Sequence, residues 1–295
     1  METERTSVGT WQGRNVLFMG DSLTARRIYP ETVKEILGIH PFYHCKGGVG
    51  LKAMVDGDRG LGGDYDNETD AVGVLRPLSI KDVENMDLIV FYGGYNNRRL
   101  EIGKVGDRYV SGGAGQKTVA GVMQYCIDRI YQTLFEANNT TCRLLIVTVD
   151  CSGKYPWVDA DGYTEVEPGS GKTLEAMANI QKAVAAYNSI PCCDLFHNSG
   201  INRYTWNIFS AESFAHHPNF SPYLIDEYGN PLDNVRIRYE TGKSYYQHRG
   251  GKVVSEVYTG KAPYPYNGDQ VHKSLAGYKR IGELIAGAII TAYGN

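Results

Sequence analysis

Asn15-Val16-Leu17-Phe18-Met19-Gly20-Asp21-Ser22 sets the pattern from which the rest of the chain is read. Five residues form a short apolar run, which reads as a buried strand, and Gly20 and Asp21 end it with a sharp turn. Asp87–Tyr92 (DLIVFY) repeats the pattern and closes on Gly93 and Gly94, and Cys142–Val149 (CRLLIVTV) gives another buried strand. Phe42–Lys46 reads as a strand closed by Gly47, Gly48 and Gly50, and Pro191–Phe196 as a fifth. Helical stretches lie between them: Glu31–Leu37 with Pro30 at its start, Thr118–Ala137, and the Ala-rich Leu174–Asn188. Leu275–Tyr293 closes the chain as an amphipathic helix. Continuous apolar strands alternating with helices imply an α/β protein, with a parallel sheet covered on both faces.

Tyr204–Pro265 breaks the pattern. It is rich in Tyr, Pro, Asn and His, has a turn signal at Tyr228-Gly229-Asn230-Pro231, and alternates at Val235–Tyr239 and Lys252–Tyr258. It reads as an insertion of loops and short antiparallel strands, at about 204–265, within a single domain. Residues 52–77 read as loop.

Composition narrows the function. The chain has 295 residues, 30 Lys plus Arg against 33 Asp plus Glu, and 42% hydrophobic residues. With a net charge of -3 it has no basic excess for a general nucleic-acid binder. No apolar run is long enough for a membrane helix. Met1–Gly13 is polar and lacks a signal-peptide core, so a cytoplasmic protein or a virion or tail component is expected. The six cysteines are scattered and read as small buried residues. The 35 glycines imply many tight loops, and the 22 tyrosines suit a groove for sugars or other polar ligands.

Chemistry concentrates at the strand ends, where open parallel sheets bind ligands. Ser22 follows the first strand and opens a helix, which makes it an accessible hydroxyl or a helix cap. Asn96, in Gly93-Gly94-Tyr95-Asn96-Asn97, could donate to an oxyanion, and Gly47-Gly48-Val49-Gly50 could present a backbone N–H. Asp269 and His272, just before the last helix, are spaced so that their side chains can meet on one turn; otherwise Asp269 caps that helix and His272 lies on the surface.

Taken in order, these blocks resemble those of the SGNH, or GDSL, hydrolase family of serine esterases: Gly20-Asp21-Ser22-Leu23, Gly50, Gly94-Tyr95-Asn96, and Asp269 with His272. The resemblance covers roughly residues 14–203 and 266–293. It implies a flavodoxin-like three-layer α/β/α sandwich with a five-stranded parallel sheet. It also implies Ser22 as nucleophile, His272 as general base and then acid, Asp269 as its orienter, and an oxyanion hole from the Ser22 and Gly50 N–H groups and the Asn96 amide. Gly48 is the alternative to Gly50. Asn97 stands where many relatives carry Asp, a residue that usually supports the loop, and Cys45 is atypical at the start of the glycine block; changed local bonding is the expectation.

The implied activity is metal-independent and cofactor-free hydrolysis of small acyl esters, acetyl above all, on a small molecule or glycan. Tyr95, Tyr245, Tyr246, Tyr264 and Tyr266 are candidate substrate contacts, the alternative for the last four being that they pack a small core of the insertion itself. A lipase or thioesterase on the same scaffold is one alternative. A non-catalytic carbohydrate-binding domain of a phage tail or adhesin is another, against which the intact Ser22, Asp269 and His272 argue.

Other signals fail. Gly169-Ser170-Gly171-Lys172-Thr173 imitates a phosphate loop but has Val166 where its first glycine belongs. The run Asp56–Asp70 misses the EF-hand glycine and glutamate and reads as a solvated loop. His40 and His44 lack the H-E-x-x-H glutamate, and His216-His217-Pro218 has no third ligand pattern.

Overall fold

A computed structural model describes residues 10–58, 75–97, 100–109, 117–151, 158–159, 162–163, 173–202, 205, 209, 222–225, 245–249, 252–258 and 271–294. The chain divides into two compact units. One comprises Met1–Asp150, Lys172–Ser199 and Lys279–Asn295; the other comprises Cys151–Gly171 and Gly200–Tyr278. The insertion read at about 204–265 falls within the second unit, which also takes in the stretch from Cys151 to Gly171.

In chain order the elements are β1 (Asn15–Gly20), α1 (Ser22–Ala25), α2 (Ile28–Leu37), β2 (His40–Cys45), α3 (Ala53–Asp56), α4 (Ile80–Val83), β3 (Leu88–Tyr92), α5 (Val119–Glu136) and β4 (Arg143–Val147). They continue with β5 (Val158–Asp159), β6 (Gly162–Tyr163), α6 (Leu174–Tyr187), β7 (Cys192–Cys193), α7 (Leu195–Asn198), β8 (Pro222–Ile225), β9 (Tyr245–Arg249), β10 (Lys252–Tyr258) and α8 (Leu275–Tyr293).

The first unit is the expected α/β sandwich. Its five strands are parallel, in the order β2-β1-β3-β4-β7. Counting only these strands, the order is 2-1-3-4-5, the flavodoxin-like arrangement. β3 is buried along its whole length, as its unbroken apolar run requires. Burying each such large side chain contributes about 1.5–3 kcal/mol. Gly282 of α8 lies against Thr32 and the Tyr29 carbonyl of α2, and α5 packs on α6. Thr118 caps α5, its Oγ1 accepting from the Gly121 N–H at 3.0 Å.

Three local expectations shift. α2 begins at Ile28, so Pro30 is its third residue; the first four helical N–H groups lack intrahelical partners, and its missing donor costs nothing there. The expected strand Pro191–Phe196 shrinks to Cys192–Cys193, because Asp194 caps α7 and turns the chain into a helix. The segment after residue 52, read as loop, contains α3. Cys192 is half-buried and Cys193 buried, the alternation a strand imposes. Burial pushes both thiols up to about 12, so they stay protonated at neutral pH.

In the second unit, β8, β9 and β10 form an antiparallel sheet in the order β10-β9-β8, and β5 pairs with β6. The strand expected at Lys252–Tyr258 is β10. Val235–Tyr239 and the turn at Tyr228–Pro231 lie outside the described residues. Among the described residues no helix is long and apolar enough to cross a membrane.

Candidate active site

The strand order locates the site. After β1 the chain goes to one side of the sheet for β2 and to the other for β3, and a crevice opens where the order reverses. In register, Gly20 pairs with Cys45 on β2 and with Tyr92 on β3, so the three strands end level. The segments leaving those ends are Asp21-Ser22, Lys46–Gly50 and Gly93–Asn97.

A Cβ on Gly20 would overlap Thr24 Oγ1 and the Tyr92 carbonyl, so only glycine lets the chain turn here. Asp21 is buried and caps α1, accepting from the Leu23 N–H at 3.0 Å. Ser22 is therefore the first residue of α1, and it is half-buried. Below it lies a buried polar layer: Thr24 Oγ1 and the Tyr29 hydroxyl are 2.8 Å apart, and the Tyr92 hydroxyl donates to Asp150 at 2.9 Å. Burial first, and the nearby carboxylates of Asp21 and Asp150 in addition, hold the Tyr92 phenol well above its usual range.

The glycine loop folds against this turn. A Cβ on Gly47 would lie 3.7 Å from that of Ser22, ordinary contact distance. Gly48 has φ +80°, a left-handed conformation that favours glycine. The Asn96 amide donates to the Val49 carbonyl at 3.0 Å. A primary amide carries two N–H donors; spending one on Val49 fixes the direction of the other. Asn97 Oδ1 accepts from the Leu51 N–H at 2.8 Å, and a Cβ on Gly50 would lie 3.1 Å from the Asn97 amide. The neutral residue thus still supports the loop, through its carbonyl oxygen. Cys126 Sγ adds a 3.2 Å hydrogen bond to the Leu51 carbonyl.

The structure therefore brings Ser22, Gly50 and Asn96 to neighbouring strand ends of one unit. His272 belongs to the second unit, where it is half-buried and precedes α8. Asp269 lies outside the described residues. Capping of α8 falls to Ser274, whose Oγ accepts from the Gly277 N–H at 3.2 Å. Tyr95 is 3% exposed, which leaves little of its ring for a ligand. Tyr245 and Tyr246 lie on β9, opposite Tyr258 and Glu256 of β10. Tyr264 and Tyr266 lie outside the described residues.

The discounted signals also have positions. Thr173 caps α6, accepting from the Ala176 N–H at 3.0 Å, while Gly169–Lys172 lie outside the described residues. Asp56 pairs with Lys52 at 2.6 Å and Asp58 with Lys46 at 2.7 Å. Among the described residues no group of three or more His, Cys, Asp or Glu side chains could hold a metal ion.

Two features escaped the sequence. Gln181 is a buried polar residue on α6 that reaches the ends of β3 and β4. Asp194 and His197 repeat the Asp-x-x-His spacing of Asp269 and His272. Here it closes: His197 Nδ1 lies 2.9 Å from the Asp194 carboxylate, which also binds Lys182 at 2.6 Å. Burial pushes the Asp194 carboxyl up, but hydrogen bonds from Lys182 and His197 outweigh it and hold the group below its usual range.

No protein-family model and no curated protein matches the chain. Solved structures do. A Lactobacillus plantarum protein aligns at a TM-score of 0.54 and 13% identity, over 96% of this chain and 98% of its own. An Agrobacterium tumefaciens protein described as a candidate arylesterase aligns at 0.45 and 15%, over 94% and 99%. A carbohydrate esterase family 2 enzyme of Corynascus thermopiles aligns at 0.43 and 11%, over 96% and 67%. At 13% identity the likeness to the Lactobacillus plantarum protein is one of fold, and the first unit has the flavodoxin-like strand order expected.

Proposed function

We propose that the protein is a serine esterase of the SGNH hydrolase type. One observation carries the reading: Ser22, the 47–50 loop and the Asn96 amide gather at three level strand ends beside the switch point of the sheet. A nucleophile and oxyanion donors are wanted together at such a crevice.

In the proposed reaction Ser22 Oγ bonds to the ester carbonyl carbon while its proton passes to His272, which Asp269 orients. The oxyanion takes hydrogen bonds from the Ser22 N–H, the Gly50 N–H and the second N–H of Asn96. When the tetrahedral intermediate collapses, its bond to the alcohol oxygen breaks and His272 gives that oxygen the proton. Water, deprotonated by His272, then attacks the acyl-enzyme, and Ser22 leaves with its hydrogen restored.

The substrate we infer is an acetyl ester on a carbohydrate. The tyrosine-rich composition and the polar, β-rich segment between β7 and α8 favour a polar alcohol part. The test is turnover of p-nitrophenyl acetate, longer-chain esters and acetylated sugars, beside Ser22→Ala. Hydrolysis abolished in the variant, with acetyl preferred, is expected. A wild type no faster than Ser22→Ala on every ester overturns the reading; a preference for long chains moves it to the lipase or thioesterase alternative.

A further inference from the structure

Gln181 lies in the middle of α6, among positions that face the core, and is 1% exposed. A buried primary amide is costly unless both of its ends are satisfied. Here both are, and by backbone alone. Its Nε2 donates to the Gly93 carbonyl at 2.7 Å, and its Oε1 accepts from the Val149 N–H at 2.7 Å. Gly93 is the first residue beyond β3, and Val149 the second beyond β4. The registered pairing of these strands ends at Tyr92 and Val147. The Gln181 amide thus acts as one further rung, bridging two chains where the ladder stops.

The rung bears on the site. Gly94 has φ +117°, and a Cβ there would lie 2.7 Å from Gln181 Nε2, so the chain turns tightly against the amide. The turn continues through a hydrogen bond from the Asn97 N–H to the Gly94 carbonyl at 2.8 Å, within the 3₁₀ turn Tyr95–Asn97. Asn96 sits in that turn, gripping Val49. From Gln181 to the Asn96 amide the path is one hydrogen bond and three residues of constrained backbone.

We propose that Gln181 is a positioning residue: it fixes the peptide after β3 so that the Asn96 amide meets the developing oxyanion. This rests on the esterase reading. Displacing a donor of this kind by about 1 Å costs up to roughly a hundredfold in rate. Gln181→Leu removes both hydrogen bonds at similar volume. Gln181→Glu keeps the shape and makes the rung titratable. As a neutral acid the introduced carboxyl donates to the Gly93 carbonyl and accepts from Val149; as a carboxylate it has no donor for Gly93.

The experiment measures kcat and KM on p-nitrophenyl acetate from pH 5 to pH 9, with Tm, for wild type, Ser22→Ala and both Gln181 variants. Gln181→Leu should lower kcat about tenfold or more with a smaller change in KM. Gln181→Glu relative to wild type should be most active at the acid end and lose ground as pH rises. Wild-type kcat in a folded Gln181→Leu overturns the inference alone, and so does a Gln181→Glu ratio that stays flat over a range in which the pH dependence of its Tm shows the introduced carboxyl to titrate. If Gln181→Leu does not fold, the Gln181→Glu ratio decides. A wild type without Ser22-dependent turnover overturns the esterase reading and this inference with it.

Discussion

Asn97 accepts a hydrogen bond from the backbone N–H of Leu51, 46 residues earlier in the chain, at 2.8 Å. The contact ties the segment after β3 to the loop after β2, alongside the Asn96–Val49 bond. Asn97→Ala should therefore leave the Leu51 N–H without that acceptor and cost about 1–3 kcal/mol of unfolding free energy. Asn97→Asp keeps an acceptor and should retain most of the stability and turnover. Denaturant unfolding and kcat on p-nitrophenyl acetate check both; equal damage from the two variants contradicts the role.

Asn96→Ala should strike the reaction harder than the fold. Removing one oxyanion donor lowers kcat by about 10²–10³, with KM little changed. A variant that raises KM at constant kcat would place Asn96 in ground-state binding instead.

His44 makes a prediction about acid. It is the last but one residue of β2 and is buried, and desolvation depresses its imidazole to about 4, with Arg76 lowering it further and Asp82 and a Met54 backbone hydrogen bond opposing. The folded state thus holds His44 neutral while an unfolded chain protonates it below about 6.5. Between those values the unfolded state binds more protons, so stability must fall as pH drops from 6.5 to 4, by on the order of 3 kcal/mol from this group. Unfolding free energies over that range should show the slope, and His44→Phe should flatten it. Identical slopes in both proteins contradict the assignment.

Thr118→Ala is a control. It removes the α5 cap and the Asp107 hydrogen bond, and should cost about 1–2 kcal/mol with kcat unchanged.

The parts of the fold that follow from burial were legible in the chain. β1, β3 and β4 lie where unbroken apolar runs demand strands covered on both faces, and α5 sits between the capping residues its periodicity implies. What escaped was set by single polar contacts. β7 is cut to two residues because Asp194 caps α7, and α3 is a four-residue helix with an i,i+4 ion pair, Lys52–Asp56, too short for periodicity to reveal. The placement of Ser22, Gly50 and Asn96 just beyond strand ends was readable because glycines mark where those strands stop. Gln181 was not, although it occupies a core position of an Ala-rich helix; a polar residue there was the one available sign. Nothing in sequence spacing said that its partners would be the ends of β3 and β4.

The proposed reaction stands or falls with Ser22 as an activated nucleophile. The most direct measurement is the reaction of the intact protein with a serine-reactive phosphonate, mapped by peptide mass spectrometry in wild type, Ser22→Ala and His272→Ala. One adduct is expected, on Ser22, absent in Ser22→Ala and formed far more slowly in His272→Ala. An adduct on another serine, or a Ser22 adduct that forms as fast without His272, contradicts it.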